Sequence, residues 1–430
     1  MNKTLKLLIL VTLSLSSCKK DPPFQQSIIG FSDKISYFQH EKIKFYFKGN
    51  LSGFQVLTVY DINGIAVDTL HASIISQKHK NTSPYKNGFN FELGSTYSSD
   101  KLKSGIYTLE KSIPFVIKSK TPKQITVVYP SNTIMAYNNQ GGKSMYGYNS
   151  SEKSESDTLS FLRPHRIQNF TIPFFSWLNN NYSNVGYIAD IDLDSFDLYS
   201  SSDLLIIPGH SEYWTRKARE NFDLYINSGK HAAVLSGNTM WWQVRYNENK
   251  TKLICHRSLE DPILNPLYKT VLWNNPILDY SPTSSIGADF TLGGFGLDED
   301  DGWNGYKINS NSILLQHTGL KINDIISIPT KEYDGTILTS HSDSLTMDLE
   351  QLNFHKGEVI GYDLGNRNGQ TIGTFIAFQK TISSGIIVNT GSTDWCGENG
   401  FGGNNKDEVK QITSNIIYYL LNEPDEILGP

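Results

Sequence analysis

"LLIIPGHSEYW", residues 204–214, passes from four apolar residues through Pro208-Gly209 directly into His210, Glu212, Tyr213 and Trp214. A short continuous apolar run bounded by turn residues reads as a strand covered on both faces, the kind found in parallel sheets between layers of helices. Its neighbours follow the same grammar. "ITVVYP" (125–130), "VGYIADID" (185–192) and "HAAVLSGN" (231–238) read as further strands, and "PFFSWLNNN" (173–181) as a helix. After the opening stretch, Thr215 can cap a helix whose Ala218, Phe222, Tyr225 and Ile226 share one face and whose Gly229 stops it. "GIIVNTGSTDW" (385–395) then reads as a last core strand, and "DEVKQITSNIIYYLLN" (407–422) as an amphipathic helix with Val409, Ile412, Ile416 and Leu420 on one face. Strands alternating with helices imply an α/β domain with a parallel sheet and right-handed crossovers.

In such sheets ligands bind beyond the carboxyl ends of the strands, where loops converge. Four exits here are polar or aromatic: "YPSNTIMAYNNQGGKSMY" (129–146), "PGHSEYW" (208–214), "SGNTMWWQVR" (236–245) and "GSTDW" (391–395). Any one of them is explained as a well-packed turn, because Gly, Asn and Ser are ordinary turn residues. Four together, two with an acid beside Trp, point to a site. Its chemistry is bounded by what is missing. In the glutamine amidotransferase-like fold a nucleophilic cysteine sits on the tight turn after the next strand, and here that turn is "LSGNTMWW", with Gly237 and Asn238 and no cysteine. A thiol mechanism of that kind is excluded. His210 and Ser211 are adjacent and no G-x-S-x-G is present, which argues against a serine triad. No H-E-x-x-H or paired-cysteine zinc motif occurs.

Outside the α/β region the pattern changes twice. From 28 to 120, short runs such as "KIKFYFKG", "FQVLTVYD" and "GIYTLEKSIPFVIK" alternate with period two, and Asn63-Gly64 signals a hairpin. This predicts a β-sandwich, immunoglobulin-like by pattern, with a barrel as the alternative. From about 250 to 373, strand-like pieces and Gly/Asp-rich loops read as an insertion packed on the α/β domain of residues 121–425. The 430 residues carry 38 basic and 43 acidic side chains, a balance that presents no basic face for nucleic acid. The 23 Tyr, 21 Phe and 7 Trp in a Ser/Asn-rich background suit an exported protein.

Export is also written at the start of the chain. "MNKTLKLLILVTLSLSSCKKD" places Lys3 and Lys6 before an apolar run too short to span a bilayer, then Leu15-Ser16-Ser17 before Cys18. This resembles a bacterial lipoprotein signal (1–17), which implies a lipid on Cys18, a polar tether over 18–27 and anchoring in the cell envelope, at the outer membrane. Cys255 and Cys396 are the other two cysteines, expected to be free and buried.

Taken in order, "YPSNTIMAYNNQGGKSMY", "LSFLRP", "IIPGHSEYWT", "SGNTMWW", "HTGLKINDII" and "NTGSTDW" resemble the C-terminal domain of the N,N-dimethylformamidase large (beta) subunit family, over roughly residues 105–425. The resemblance implies a glutamine amidotransferase-like (flavodoxin-like) domain and a mononuclear iron held by two tyrosines and a glutamate. Carried over residue by residue, it makes Glu212 the glutamate ligand, with His210 beside it, Tyr137 of the A-Y-N motif a tyrosine ligand, and Asn238 the site's asparagine. It leaves the second tyrosine open, with Tyr107 of "SGIYTLE" preferred and Tyr129 a competitor. The chemistry is coherent. Phenols ionise near pH ~10, so two bound phenolates require a strongly polarising cation, and hard oxygen donors suit Fe3+. This chain departs from the amidase in being a single polypeptide with an added β-sandwich, an expected lipid anchor and no segment matching a small subunit.

Two functions from different classes follow. One is an anchored metal-dependent hydrolase of a C–N bond in a small polar amide. Its competitor is a surface lipoprotein binding a glycan or peptide, with Trp241, Trp242 and Trp395 as stacking platforms; an adhesive role for the sandwich is a third. Metal occupancy separates the first from the others. Protein partners are not indicated by the sequence.

Overall fold

The computed structural model describes residues 28–49, 52–75, 81–167, 170–296, 302–341 and 344–429. The expected signal segment, Cys18 and the tether lie outside the described residues. The molecule is a mixed α/β protein organised on an eleven-stranded sheet. Five of its strands are parallel: Val185–Ala189, Ile125–Tyr129, Leu204–His210, His231–Gly237 and Ile386–Asn389, side by side in that order. Numbered along the chain, the spatial order is 2-1-3-4-5, so the connection reverses direction between Ile125–Tyr129 and Leu204–His210.

The apolar run that opened the sequence reading is buried along its whole length. Its side chains divide by parity, as a strand requires. Leu204 and Ile206 enter a core with Phe174, Phe175 and Leu178 of helix Ile172–Asn181 and with Val409, Ile412, Ile416 and Leu420 of helix Lys406–Asn422. Leu205 and Ile207 enter the opposite core with Ala218, Phe222, Tyr225 and Ile226 of helix Arg216–Asn227. That helix starts where expected: the Thr215 side chain accepts from the Ala218 amide, and Gly229 follows its end with a left-handed φ of 87°.

The 250–373 segment does not merely pack on this sheet. Lys356–Asn366 and Gln370–Gln379 form a hairpin that joins it, pairing antiparallel beside Ile386–Asn389, and Gly294–Gly296 and Glu332–Gly335 continue it further. The reason is visible in "TIGTFIAFQ" (371–379), whose Phe375 and Ala377 face one core while Ile376 and Phe378 face the other. This strand is covered on both faces and belongs in the middle of a sheet.

Residues 28–118 form two further sheets, one of three strands and one of five. Their facing sides share a core of Tyr37, Ile43, Phe45, Phe47, Leu57, Val59, Leu109 and Phe115. Period-two burial in Lys42–Gly49 places Ile43, Phe45 and Phe47 inward, as the alternation predicts. The other face of the five-stranded sheet meets water along Gly53–Asp61 and Ala66–Ile74, where Phe54 and Val56 are exposed, but is covered at Gly105–Leu109 and Ile113–Lys118. Ile35, Ile106 and Val116 belong to the α/β core, and Lys118 pairs with Asp192 at 2.6 Å across the junction. Cys255 and Cys396 are free and buried. No helix among the described residues is long and apolar enough to cross a membrane.

Candidate active site at the carboxyl ends of the parallel strands

Where the connection reverses, two strand exits meet. Ile125–Tyr129 runs through Pro130 into a seven-residue helix, Ser131–Tyr137, and Leu204–His210 runs into Ser211-Glu212-Tyr213. Gly209 makes the second exit possible: its φ is 79°, and a Cβ there would stand 2.3 Å from Thr171 Cγ2. The Glu212 amide donates to Thr133 Oγ1 at 2.9 Å, tying the two exits together. A third exit is tied in by the Trp241 and Trp242 amides, both of which donate to the Glu212 carbonyl at 2.9 Å. On that third exit Asn238 takes the left-handed conformation (φ 49°), tolerated best by asparagine among residues with a side chain.

The side chains converge on the Glu212 carboxylate, which is 2% exposed. Tyr146 donates to its Oε1 at 2.7 Å, and Tyr213 donates in turn to the Tyr146 hydroxyl at 2.6 Å. His210 Nε2 lies 3.4 Å from Glu212 Oε2, 3.5 Å from Glu332 Oε2 and 3.3 Å from the Tyr137 hydroxyl. Opposite, His210 Nδ1 lies 3.1 Å from the Gly237 carbonyl; that oxygen only accepts, so Nδ1 carries a proton and Nε2 is the nitrogen turned toward the cluster. The Asn238 amide nitrogen donates to Glu332 Oε2 at 3.0 Å. The rings of Tyr137 and Tyr146 lie 4.4 Å apart, and Phe170 closes on His210 with centroids 6.0 Å apart.

Two acceptor oxygens in this cluster, Glu212 Oε2 and Asn238 Oδ1, are buried without a hydrogen-bond partner. Such atoms are costly unless something with positive charge or donors meets them. Burial raises the Glu212 carboxyl to about 7, with His210 acting against the rise and Glu332 adding to it. Tyr137 and Tyr146 are pushed well above the usual phenol range by burial first and by the Glu212 charge second. Protein alone therefore keeps both phenols neutral, and a cation placed among them would reverse that balance. Among the described residues no group of three or more His, Cys, Asp or Glu side chains is placed to hold a metal ion. Phenol oxygens would have to complete any such site, and two phenols with one carboxylate form a hard, oxygen-only donor set that fits a trivalent ion.

Of the residues singled out from sequence, Tyr137, His210, Glu212 and Asn238 come together here. Tyr107 does not. It lies in strand Gly105–Leu109, its hydroxyl donates to the Lys103 carbonyl at 3.0 Å, and its ring stacks on Phe115 in the separate core of residues 28–118. Tyr129 is fully buried on the central sheet beside Phe175, with Asp190 as its charged neighbour. The second phenol on Glu212 is Tyr146, the last letter of "YPSNTIMAYNNQGGKSMY", downstream of Tyr137 rather than upstream. Glu332 was also missed. Its only signal was the Glu-Tyr-Asp alternation of "KEYDG", which puts Glu332 and the buried Asp334 on one face of strand Glu332–Gly335. Trp395 is no platform: it is wholly buried against Phe375 and donates to Thr413 Oγ1 at 3.0 Å.

An α/β sheet with a carboxylate, imidazole and phenols gathered at its topological switch point defines the class. Within it, the chain belongs to the N,N-dimethylformamidase beta subunit-like, C-terminal family, whose family model matches residues 89–405. No curated protein matches the chain.

Proposed function

We propose that the protein is a metal-dependent hydrolase of an amide-type C–N bond, working at the Glu212 cluster. The observation that carries this reading is the convergence of Tyr137 and Tyr146 on Glu212, whose second oxygen is buried without a hydrogen-bond partner. In it, Tyr137, Tyr146 and Glu212 would hold iron as Fe3+, which would supply Lewis acidity toward a carbonyl oxygen and toward water. His210 Nε2 stands between Glu212 and Glu332 and takes the proton of the attacking water. The C–N bond then breaks, and the imidazolium returns that proton to the leaving amine. Glu332 steadies the positive imidazolium, and Asn238 Oδ1 accepts the N–H of a substrate amide where one is present. Phe170 shields the imidazole from bulk water.

The 2-1-3-4-5 order supports a flavodoxin-like, amidotransferase-like domain over 121–425, and the two facing sheets of 28–118 support an immunoglobulin-like sandwich. The "LSSC" sequence at 15–18 supports a lipid on Cys18 and a place in the bacterial envelope, at the outer membrane. The reading is tested by assaying amine release from small amides with iron-loaded protein and with two variants. Glu212→Ala should lose both metal and activity. His210→Gln should keep the metal and slow turnover by roughly 10²- to 10⁴-fold. Stoichiometric iron without hydrolysis of any amide would refute it.

A further inference from the structure

Beside the cluster lies an open cleft of about 310 Å³, lined chiefly by Tyr85, Lys86, Glu155, Asp157, His256 and Arg257. It is connected to the catalytic residues through Arg257. The guanidinium sits 5.7 Å over the ring of Tyr146, the phenol that donates to Glu212. The Arg257 backbone is left-handed (φ 55°), an uncommon conformation for a residue with a side chain. Glu155 approaches from the other side: its Oε2 is 3.1 Å from where a Cβ on Gly147, the residue after Tyr146, would stand. Tyr85 is fixed against the same loop, since a Cβ on Gly141 would meet its amide nitrogen at 2.6 Å.

Charges in the cleft cancel. Lys86 faces Asp157 at 3.8 Å and Arg257 faces Glu155 at 3.5 Å, with the His256 imidazole 3.4 Å from Asp157. An ionic ligand would find its counter-charge already matched, and half-exposed pairs of this kind contribute little by themselves. The separations are those of charge pairs, however, and not of formed hydrogen bonds. Their donors and acceptors remain unspent toward one another. Carboxylates with two acceptor oxygens and a guanidinium with a fork of donors, next to a tyrosine ring, match vicinal hydroxyl groups on a ring-shaped neutral ligand.

We propose that this cleft is a saccharide subsite, so that the amide presented to Glu212 is carried on an amino-sugar unit. The second half rests on the hydrolase reading; the first does not. The test uses the full chain with N-acetylglucosamine and its β-1,4 disaccharide as probes, and succinate as the anionic control, followed by calorimetry and ligand-observed NMR. Both sugars should bind and succinate should not. Glu155→Gln with Asp157→Asn, and separately Tyr85→Ala, should weaken sugar binding at least tenfold, whereas Tyr107→Phe, in the separate core of residues 28–118, should change it less than twofold. Binding of succinate in place of sugar, binding of neither, or sugar binding indifferent to the cleft substitutions would overturn the subsite. If sugars bind as expected and iron-loaded protein cleaves no sugar-borne amide but does cleave small ones, the substrate half falls alone. If it cleaves no amide at all, the hydrolase reading falls and the subsite stands.

Discussion

Tyrosines are used in two different ways in the two halves of this molecule. In residues 28–118 every buried phenol settles locally: Tyr37 donates to Asp33 at 2.7 Å, Tyr97 to Asp68 at 2.9 Å, Tyr107 to the Lys103 carbonyl at 3.0 Å. Burial alone would raise Asp68, but Lys101, the Thr69 amide and Tyr97 together hold it below the usual range. At the strand exits of the central sheet, Tyr213, Tyr146 and Tyr137 instead crowd one carboxylate, and Glu212 is raised to about 7 with one oxygen unsatisfied. The first region spends its polar groups on folding. The second keeps them in reserve, as binding and catalysis require. Residue type does not tell the two apart; convergence does.

That contrast can be broken by substitutions in matched positions. The largest effect should come from Glu332→Gln, which keeps the Asn238 contact but removes the second charge facing His210; turnover should fall roughly 10²- to 10⁴-fold with folding intact, while Asp68→Asn should leave turnover unchanged. Truncating the other region's core should do the reverse. Phe115→Ala, at a fully buried site, should cost about 3–5 kcal/mol in denaturant unfolding and leave kcat per folded molecule unaltered.

A third difference is one of pH. Asp190, which accepts the Asn132 amide at 2.8 Å behind the Tyr137 helix, is raised to about 8, first by burial and then by Asp192, with the amide opposing. Its native state holds a proton that the unfolded chain releases, so stability is complete below about pH 4 and declines as pH rises toward 8. The slope is at most about 1.4 kcal/mol per pH unit. Asp190→Asn should flatten that decline in urea titrations. Asp68 carries the opposite sign, its contribution being lost as pH falls, and Asp68→Asn should flatten only the acid limb.

Much of the fold was legible in advance because its strands and helices announce themselves by period: "LLIIPGH" by continuity, "KIKFYFKG" by alternation, and the Ala218, Phe222, Tyr225, Ile226 face by helical spacing. The hairpin 356–379 was misplaced because strands pairing antiparallel at the far side of a sheet look, in sequence, like any β-rich insertion. Most of the site was equally legible, since His210 ends one strand, Glu212 lies two residues past it and Asn238 one residue past the next strand, so that they inherit their position from the sheet. Tyr146 follows eight residues of loop after Tyr137, and Glu332 comes from a strand more than a hundred residues downstream of Glu212. Neither position is fixed by local periodicity. Loop closure through Gly141 and the buried Arg163, whose guanidinium holds the carbonyls of Met135, Gln140 and Lys143, decides where Tyr146 points.

The contrast between the two kinds of tyrosine is tested most directly by color. Protein loaded with ferric iron should show a visible phenolate charge-transfer band. Tyr146→Phe, like Tyr137→Phe, should weaken and shift that band, whereas Tyr107→Phe should leave it unchanged and cost only about 1 kcal/mol of stability for one lost hydrogen bond. A band that survives Tyr146→Phe intact, or one that disappears with Tyr107→Phe, would contradict the account.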